Sequence, residues 1–226
     1  MKLWLIVPVK PFGEGKSRLN QALSIPERAW LSQQMFLNVL QQAKAAAQFA
    51  GVLVVSHDPA VLAAVNWRAV EHLPERGYGL NHALEQAQNQ AILYGADAIL
   101  VLPADLPLLT ADDINQLVAL SSPHHHNAAP PSTTQQATGQ IVIAASQDGG
   151  TNALLLYPPR AIRFAFGNKS FARHCALAQA AGVALATYHS PTLAFDVDWP
   201  QDLTQLSVIN GQPSVPQARR AGPQAC

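Results

Sequence analysis

Three aspartates in two short motifs are the side chains of this chain best suited to hold a metal ion. Asp105 lies between Pro103 and Pro107, directly after an apolar run typical of a buried strand. A carboxylate in that place is poorly solvated unless a cation lies beside it. A Mg²⁺ ion held by carboxylates and substrate phosphates would supply that charge. The alternative for Asp105 is a loop acid that caps the following helix.

The other two acids, Asp196 and Asp198, belong to the motif FDVDWPQDL. On an extended backbone alternate side chains point to the same side, so these carboxylates are predicted to face the same way. Two like charges on one face repel each other unless a metal ion or a lysine lies between them. The motif alone is weak evidence, because a solvated acidic turn before a helix has the same pattern.

A basic loop follows the first apolar run, in the segment PVKPFGEGKSRL that begins at Pro8. Its two glycines would let the backbone turn closely around an anion, and Lys10, Lys16 and Arg18 add three positive charges. Ligands of α/β sheets bind at the carboxyl ends of the strands, where this loop would lie. The loop therefore predicts a phosphate site, although its spacing is not that of a Walker A motif. The alternative is a solvated turn that happens to be basic.

Three further motifs combine glycines with polar side chains: GLNHAL at 79–84, DGGTNALL at 148–155 and GNKSFARH at 167–174. Free N–H groups at a helix start attract anions, and Asn81 could present its amide to a nucleobase. Helix capping explains the same residue types equally well. The simplest interpretation of His174 is a residue on a helix surface.

The apolar pattern predicts an α/β fold that places these motifs at the ends of strands. Short runs that are apolar throughout are typical of a mostly parallel sheet covered by helices on both faces. Thr110 is a predicted helix N-cap, and Trp30 is expected on the buried face of the first helix. Strands are predicted at 3–9, 51–56, 65–70, 98–102, 140–145, 152–157 and 183–188, and helices at 27–49, 78–94, 110–120, 169–181 and 201–206.

Length and composition fit one domain over residues 1–208. The segment 121–138 is polar and aperiodic, so we expect a flexible insertion whose histidines 124–126 bind no metal. The tail 209–226 is rich in Gly, Pro and Gln and is expected to be disordered.

The chain's charge and apolar runs exclude two classes of partner. Lysine and arginine together number 14, as do aspartate and glutamate, so a general nucleic-acid binder is not expected. No apolar run reaches the roughly 18 residues that span a bilayer. Cys175 and Cys226 form neither a disulfide framework nor a zinc pattern. We therefore expect a cytoplasmic protein without a membrane or nucleic-acid partner.

Taken together and in this order, the motifs resemble one enzyme family, the guanylyltransferases that join GTP to 2-phospho-L-lactate or phosphoenolpyruvate in biosynthesis of coenzyme F-420. The resemblance implies a three-layer αβα nucleotidyltransferase fold, GT-A-like and Rossmann-like, with a mostly parallel central sheet. It spans most of residues 3–206 and rests on VPVKPFGEGKSRL, GLNHAL, LPADLPLLT, DGGTNALL, GNKSFARH and FDVDWPQDL.

The resemblance also implies roles for individual residues. Mg²⁺ would be held by Asp105, Asp196 and Asp198. The phosphorylated acid would be contacted by Thr151, Gly167 and Ser170. GTP would be bound by Pro8, Lys10, Lys16, Arg18 and Asn81, with Asn81 near the guanine.

The implied reaction is transfer of GMP from GTP to the acid, with release of pyrophosphate. Asp105 would act through the metal ion, while Lys16 and Arg18 stabilise the departing pyrophosphate. Phosphoenolpyruvate is the favoured acceptor, with 2-phospho-L-lactate and 3-phosphoglycerate as alternatives. The product would pass to a downstream transferase, and the chain could act as a homodimer.

Three other functions stay open on the sequence alone. They are a nucleotidyltransferase for molybdopterin or a sugar phosphate, a glycosyltransferase suggested by the D-x-D pattern, and a non-catalytic nucleotide-binding protein. The sequence departs from the family at the long segment 121–138 and at Trp199, which follows Asp198 where a small polar residue is commoner.

Overall fold

A seven-stranded sheet organises the chain, as seen in a computed structural model that describes residues 1–46, 48–65, 67, 70–121 and 139–209. The strand order is β3-β2-β1-β4-β6-β5-β7. Within the described residues, β6 alone runs antiparallel to its neighbours. The strands are β1 Leu3–Pro8, β2 Gly51–Ser56, β3 Val70–Pro74, β4 Ala98–Val101, β5 Gln140–Ala145, β6 Thr151–Tyr157 and β7 Ala184–Thr187.

The described residues form seven α-helices, and a single turn of 3-10 helix lies between β1 and the first of them. The 3-10 turn spans Ser17–Leu19. The helices are α1 Ile25–Ala46, α2 Pro59–Ala63, α3 Leu80–Leu93, α4 Ala111–Leu120, α5 Ser170–Ala181, α6 Pro191–Ala194 and α7 Pro200–Ile209. None of the helices in the described ranges combines the length and apolar character needed to cross a membrane.

The side chains of β1 point alternately to the two faces of the sheet, which shows why the fold has three layers. Leu5 and Val7 pack into a core with α1 and α4, whereas Trp4 and Ile6 pack into a second core with α3 and α5. Successive strand side chains point to opposite faces, so a strand that is apolar throughout needs a helix layer on each face. The mostly parallel αβα fold predicted from the sequence is confirmed.

The strand predicted at 65–70 is wrong in its position. The observed β3 begins at Val70, and residues 66, 68 and 69 lie outside the described part of the chain. β3 is an edge strand whose Glu71 and His72 are exposed, and charged side chains are typical of sheet edges. The apolar signal for this strand is therefore weak.

Trp30 does not lie on the buried face of α1. Its side chain is 63% exposed, although the helix buries Met35, Val39 and Leu40 as predicted, together with Phe36. Trp30 is six residues from Phe36, which places it about 120° around the helix from the core. The segment 122–138, including histidines 124–126, and the tail from 210 to Cys226 lie outside the described residues.

A buried carboxylate connects the start of α4 to the end of the sheet. Thr110 caps α4 as predicted, in a capping box with Asp113. The Asp113 carboxylate also accepts hydrogen bonds from the hydroxyls of Tyr188, Ser190 and Thr192, at 3.0, 2.5 and 2.9 Å. Burial alone would raise the pKa of Asp113, but these hydrogen bonds lower it on balance.

We expect Asp113→Asn to lower the free energy of unfolding by roughly 2 to 4 kcal/mol, because an amide nitrogen cannot accept hydrogen bonds and the half-buried donors lose an ionised acceptor. Urea denaturation at pH 7 measures this loss. Asp112→Asn is the matched control, because Asp112 is the exposed neighbour in the same helical turn. Equal stability of the two variants would contradict the role given to Asp113.

Candidate functional site

A cleft of about 970 Å³ opens at the carboxyl ends of β1, β2, β3 and β4. Its walls come from the loop after β1, the segments after β2, β3 and β4, and the start of α3. The predicted site residues that line it are Pro8, Lys10, Lys16, Arg18, Asp105 and Asp198. The sequence motifs thus predicted residues on one side of this cleft, where acidic and basic side chains from distant segments meet.

The loop after β1 is fixed by two side chains of α1 that the sequence motifs did not reveal. The Arg28 guanidinium donates to the Gly15 carbonyl oxygen at 3.1 Å. A Cβ built on Gly15 would lie 3.2 Å from Ser32 Oγ, so the glycine allows a close approach of loop and helix. The residue with a left-handed backbone is Lys16, at φ 55°, rather than either glycine of the loop. This uncommon conformation begins the 3-10 turn just after it.

The Lys16 ammonium joins two of the three predicted metal-binding acids. Its Nζ donates to Asp105 Oδ2 at 2.7 Å and to Asp198 Oδ1 at 3.0 Å. The Lys16 side chain is only 6% exposed. Burial alone would lower the pKa of Lys16, but the charges of Asp105 and Asp198 outweigh it and raise the pKa. Two carboxylates and one buried ammonium therefore share a single small volume.

Apolar packing brings Asp198 to this place. Phe195 and Val197 are buried in a small core with Leu19, Leu23 and Met35. Asp198 alternates with these buried residues, so its carboxylate points away from the small core, as the period-two argument predicts. Burial of a phenylalanine contributes about 2 to 3 kcal/mol. The same core holds the 3-10 turn against this segment.

Two hydrogen bonds, besides the one from Lys16, fix the orientation of Asp198. Its backbone N–H donates to Asp202 Oδ2 at 2.9 Å, and its Oδ2 accepts from Arg18 Nη1 at 3.0 Å. The Arg18 guanidinium also lies 4.9 Å from the ring centroid of Trp199. Trp199, the departure from the family pattern, thus packs against a cation of the site.

Asp196 lies within electrostatic reach of the other acids. Burial raises the pKa of Asp196 to about 6, and the charges of Asp105, Asp198 and Asp148 add to that increase. Within the residues that the structure describes, no three His, Cys, Asp or Glu side chains form a ready-made metal-binding group. Asp105 and Asp198 meet at Lys16, while a shared metal site with Asp196 stays a prediction.

Thr151 and Ser170 form a separate buried network with His174. Ser170 Oγ donates to Thr151 Oγ1 at 3.0 Å, and Thr151 Oγ1 lies 3.1 Å from His174 Nδ1. The Ala165 N–H donates to His174 Nε2 at 2.9 Å. Nε2 is therefore an acceptor, and the neutral ring carries its proton on Nδ1. His174 is fully buried, so its interpretation as a surface residue is wrong.

Gly167 and Asn81 both shape the loop before α5. Gly167 has φ +122°, and a Cβ there would lie 3.2 Å from Arg173 Nη2. The Asn81 amide pairs with the backbone of Phe166, accepting from its N–H at 2.8 Å and donating to its carbonyl oxygen at 3.2 Å. Asn81 lines a smaller hollow of about 470 Å³ together with Arg163 and Arg173, and not the large cleft. Its predicted contact with guanine, like the contacts of Thr151, Gly167 and Ser170 with the acid, stays a prediction.

On the far side of the cleft, sequence reasoning singled out the motif at 79–84 but assigned no role to His57 or Glu75. His57 and Glu75 follow β2 and β3, and Tyr78 stands between Gly77 and Gly79. All of these residues line the cleft. The signal that could have found Glu75 is its place directly after a parallel strand, but the predicted strand ended too early. His57 Nδ1 lies 3.5 Å from Glu75 Oε2.

The chain is similar to named proteins over most of its length. Residues 3–215 match the model of a family described as guanylyl transferase CofC like. A phosphoenolpyruvate guanylyltransferase of Sphaerobacter thermophilus is 40% identical over 89% of this chain and 91% of its own length. One of Rubrobacter xylanophilus is 37% identical over 93% and 96%. A 2-phospho-L-lactate guanylyltransferase of Methanothermobacter thermautotrophicus is 32% identical over 94% and 86%.

Solved structures support the fold assignment. A protein described as a nucleotide-diphospho-sugar transferase of Desulfovibrio desulfuricans matches with a TM-score of 0.70, at 17% identity over 93% of this chain and 88% of its own. A CMP:2-keto-3-deoxy-manno-octonic acid synthetase matches with a TM-score of 0.60, at 14% identity over 93% and 99%. At these identities the likeness concerns the fold alone.

The buried His174 predicts a defined pH dependence of stability. Burial, with a smaller effect of Arg173, lowers the pKa of His174 to about 4. The unfolded chain binds this proton near pH 6.5 and the folded chain only near pH 4, so acidification through that window destabilises the fold. The contribution lost between pH 7 and pH 4.5 is roughly 2 kcal/mol.

We expect the difference in unfolding free energy between wild type and His174→Gln to shrink by that amount between pH 7 and pH 4.5. Urea denaturation at the two pH values measures it. The raised pKa of Asp196 has the opposite effect in the same window, but it is common to both proteins and cancels. An unchanged difference would show that His174 takes up a proton normally in the folded state.

Proposed function

The chain belongs to the guanylyl transferase CofC-like family, and from that premise we propose that it transfers GMP from GTP to a small phosphorylated carboxylic acid in the cleft at the ends of β1–β4. The convergence of Lys16, Asp105 and Asp198 at one side of this cleft carries the proposal. Lys10 and Arg18 line the same side and add positive charge for a triphosphate.

We favour phosphoenolpyruvate as the acceptor. The relatives of 37% and 40% identity described above carry the name phosphoenolpyruvate guanylyltransferase, whereas the relative named for 2-phospho-L-lactate is 32% identical. The acids differ by a double bond, a methyl group or a hydroxyl, which a pocket separates by only a few kcal/mol. The product would enter coenzyme F-420 biosynthesis in the cytoplasm through a downstream transferase.

The reaction depends on neutralising phosphate charge and needs no general base. A phosphate oxygen of the acid attacks the α-phosphorus of GTP, the bond to the β-phosphate oxygen breaks, and pyrophosphate leaves. A phosphate monoester with its second pKa of about 6 is already ionised at pH 7, so no side chain must remove a proton. Unit charges 4 Å apart repel by roughly 4 kcal/mol at an effective dielectric of 20. Cations along the cleft must therefore offset the approach of two anions.

Lys16 and Arg18 are the chain's own cations at the reacting end. Lys16 is held by two carboxylates at a fixed point of the cleft, and its raised pKa keeps it charged. Arg18 is 53% exposed, with its guanidinium anchored by Asp198 and Trp199. Preorganised cations of this kind stabilise charge that develops on a leaving pyrophosphate.

The carboxylates of this site fit Mg²⁺. Asp105 and Asp198 are the acids that would hold the ion, and Asp196 would be the third ligand. Carboxylates and substrate phosphates are the ligands that this ion uses in nucleotide sites. Asp196 lies close enough to both acids to interact with their charges, which add to the effect of burial in raising its pKa. When bound, the ion would neutralise phosphate charge and align the displacement.

We assign the acceptor to the side formed by β6 and the start of α5. Thr151 Oγ1 accepts from the protonated Nδ1 of His174 and from Ser170 Oγ, so its own hydroxyl hydrogen is left to donate. The Ser170 N–H donates to the Gly167 carbonyl oxygen at 3.1 Å, so Gly167, at φ +122°, adjoins this network, and a hydroxyl donor there suits a phosphate or carboxylate oxygen. Thr151 and Ser170 are buried, so their effect is on placement of the acid.

A direct substrate comparison tests the proposed function. The purified protein is incubated with GTP, Mg²⁺ and each of phosphoenolpyruvate, 2-phospho-L-lactate and 3-phosphoglycerate, with glucose 1-phosphate as the sugar-phosphate control. Pyrophosphate release gives the rate, and the product mass identifies the guanylylated acid. We expect turnover with phosphoenolpyruvate to exceed the others. Two outcomes would contradict the proposal: pyrophosphate release only with the sugar phosphate, or no pyrophosphate release with any of the acceptors.

Asp105→Asn is expected to lower turnover about 100-fold or more at saturating Mg²⁺, because the neutral amide loses both the metal contact and the ion pair with Lys16. Steady-state rates of pyrophosphate release measure this loss, and circular dichroism checks the fold. Asp112→Asn, on the exposed side of α4, is the control and should keep the wild-type rate. A wild-type rate in Asp105→Asn would remove this residue from the reacting end of the cleft.

A further inference from the structure

The cleft has two chemically different ends. All of its lysine and arginine lining residues come from the loop after β1. The other end, three strand spacings or roughly 14 Å from β4, is formed by the segments after β2 and β3 and by the start of α3. Its lining residues are Val55, His57, Glu75, Gly77, Tyr78, Gly79, Leu80 and Ala83. Glu75 is the one carboxylate among them.

The Glu75 carboxylate is held in place but has few donors. The Glu75 backbone N–H donates to the Ser56 carbonyl oxygen at 2.8 Å, which fixes the residue at the end of the sheet. Its side chain is 13% exposed, and its Oε2 lies 3.5 Å from His57 Nδ1. Across the part of the chain that the structure describes, no other side chain donates to this carboxylate. A largely buried carboxylate so sparsely bonded has room for a ligand that brings its own donors.

Guanine carries the donors that a carboxylate at this end would need. Its ring N1–H and its 2-amino group lie side by side and match the two oxygens of one carboxylate. Adenine presents a bare ring nitrogen in that place, which a carboxylate repels. Hydrogen bonds to an ionised acceptor are roughly twice as strong as those between neutral groups. A single carboxylate can therefore select this base.

We propose that Glu75 is the residue that selects GTP, by accepting hydrogen bonds from N1–H and the 2-amino group of guanine. The inference rests on the proposed function, and it orients the nucleotide. The phosphates lie at the Lys16 end, and the base lies at the ends of β2 and β3. His57 Nδ1 lies 3.5 Å from the same carboxylate.

Tyr78 supports the assignment of a base to this end. Its side chain is 99% exposed, and the glycines on either side have φ values of +102° and +95°. An aromatic ring this exposed among the described residues is available to cover one face of a purine, since base stacking on aromatic side chains is favourable for any base. Stacking would add affinity, while Glu75 would supply the choice of base.

The test compares Glu75→Gln with Glu71→Gln. Glu71 is an exposed glutamate on the same strand and does not line the cleft. Initial rates with the preferred acid are measured for GTP, for ITP, which lacks the 2-amino group, and for ATP. We expect wild type and Glu71→Gln to prefer GTP over ITP by about tenfold to a hundredfold in kcat/KM. In Glu75→Gln, kcat/KM for GTP should fall about a hundredfold, and the GTP-to-ITP ratio should approach one.

An unchanged GTP-to-ITP ratio in Glu75→Gln would overturn the inference, even if the variant were slow with both nucleotides, because a structural defect lowers both rates together. Calorimetric binding of GTP and ITP without acceptor gives a second measurement of the same ratio and does not depend on turnover. A different outcome separates the two proposals. If wild type binds GTP more tightly than ITP but transfers GMP to none of the acids, the proposed function is refuted and the base selection stands.

Discussion

The ammonium group of Lys16 is the point on which the arrangement of the cleft depends. It joins Asp105 and Asp198, which are 89 and 182 residues away in the chain. Its position follows from the left-handed backbone of Lys16 and from the small apolar core that holds the 3-10 turn against Phe195 and Val197. The free energy of nonpolar packing thus offsets the cost of bringing these charges together at one edge of the sheet.

That concentration has a direct electrostatic consequence. Burial raises the pKa of Asp196 to about 6, and the charges of the neighbouring acids add to that increase, while Lys16 and Arg18 neutralise part of the negative charge. Opposite charges partly cancel in this site, so a bound cation or anion changes the electrostatic potential at each neighbouring group. This is the physical property that transfer between two phosphate groups requires.

The sequence predicted most of the sheet, because β1, β2 and β4 are apolar on both faces and carry no competing signal. The edge strand β3 was misplaced, since Glu71 and His72 hide its pattern, and Glu75 was overlooked as a result. The motifs located Lys16, Asp105 and Asp198 correctly in one cleft. Their ion pairs, the support from Arg28 and the packing of Trp199 on Arg18 depend on tertiary contacts that no local pattern encodes.

The most direct test of this account is a crystal structure with Mn²⁺ and a GTP analogue that cannot be cleaved at the α-phosphorus. The anomalous signal of manganese locates the metal without reference to the protein density. The account predicts a manganese peak at the carboxylates of Asp105 and Asp198, with the triphosphate beside Lys16. A manganese peak away from both carboxylates, or a triphosphate bound outside this cleft, would contradict it.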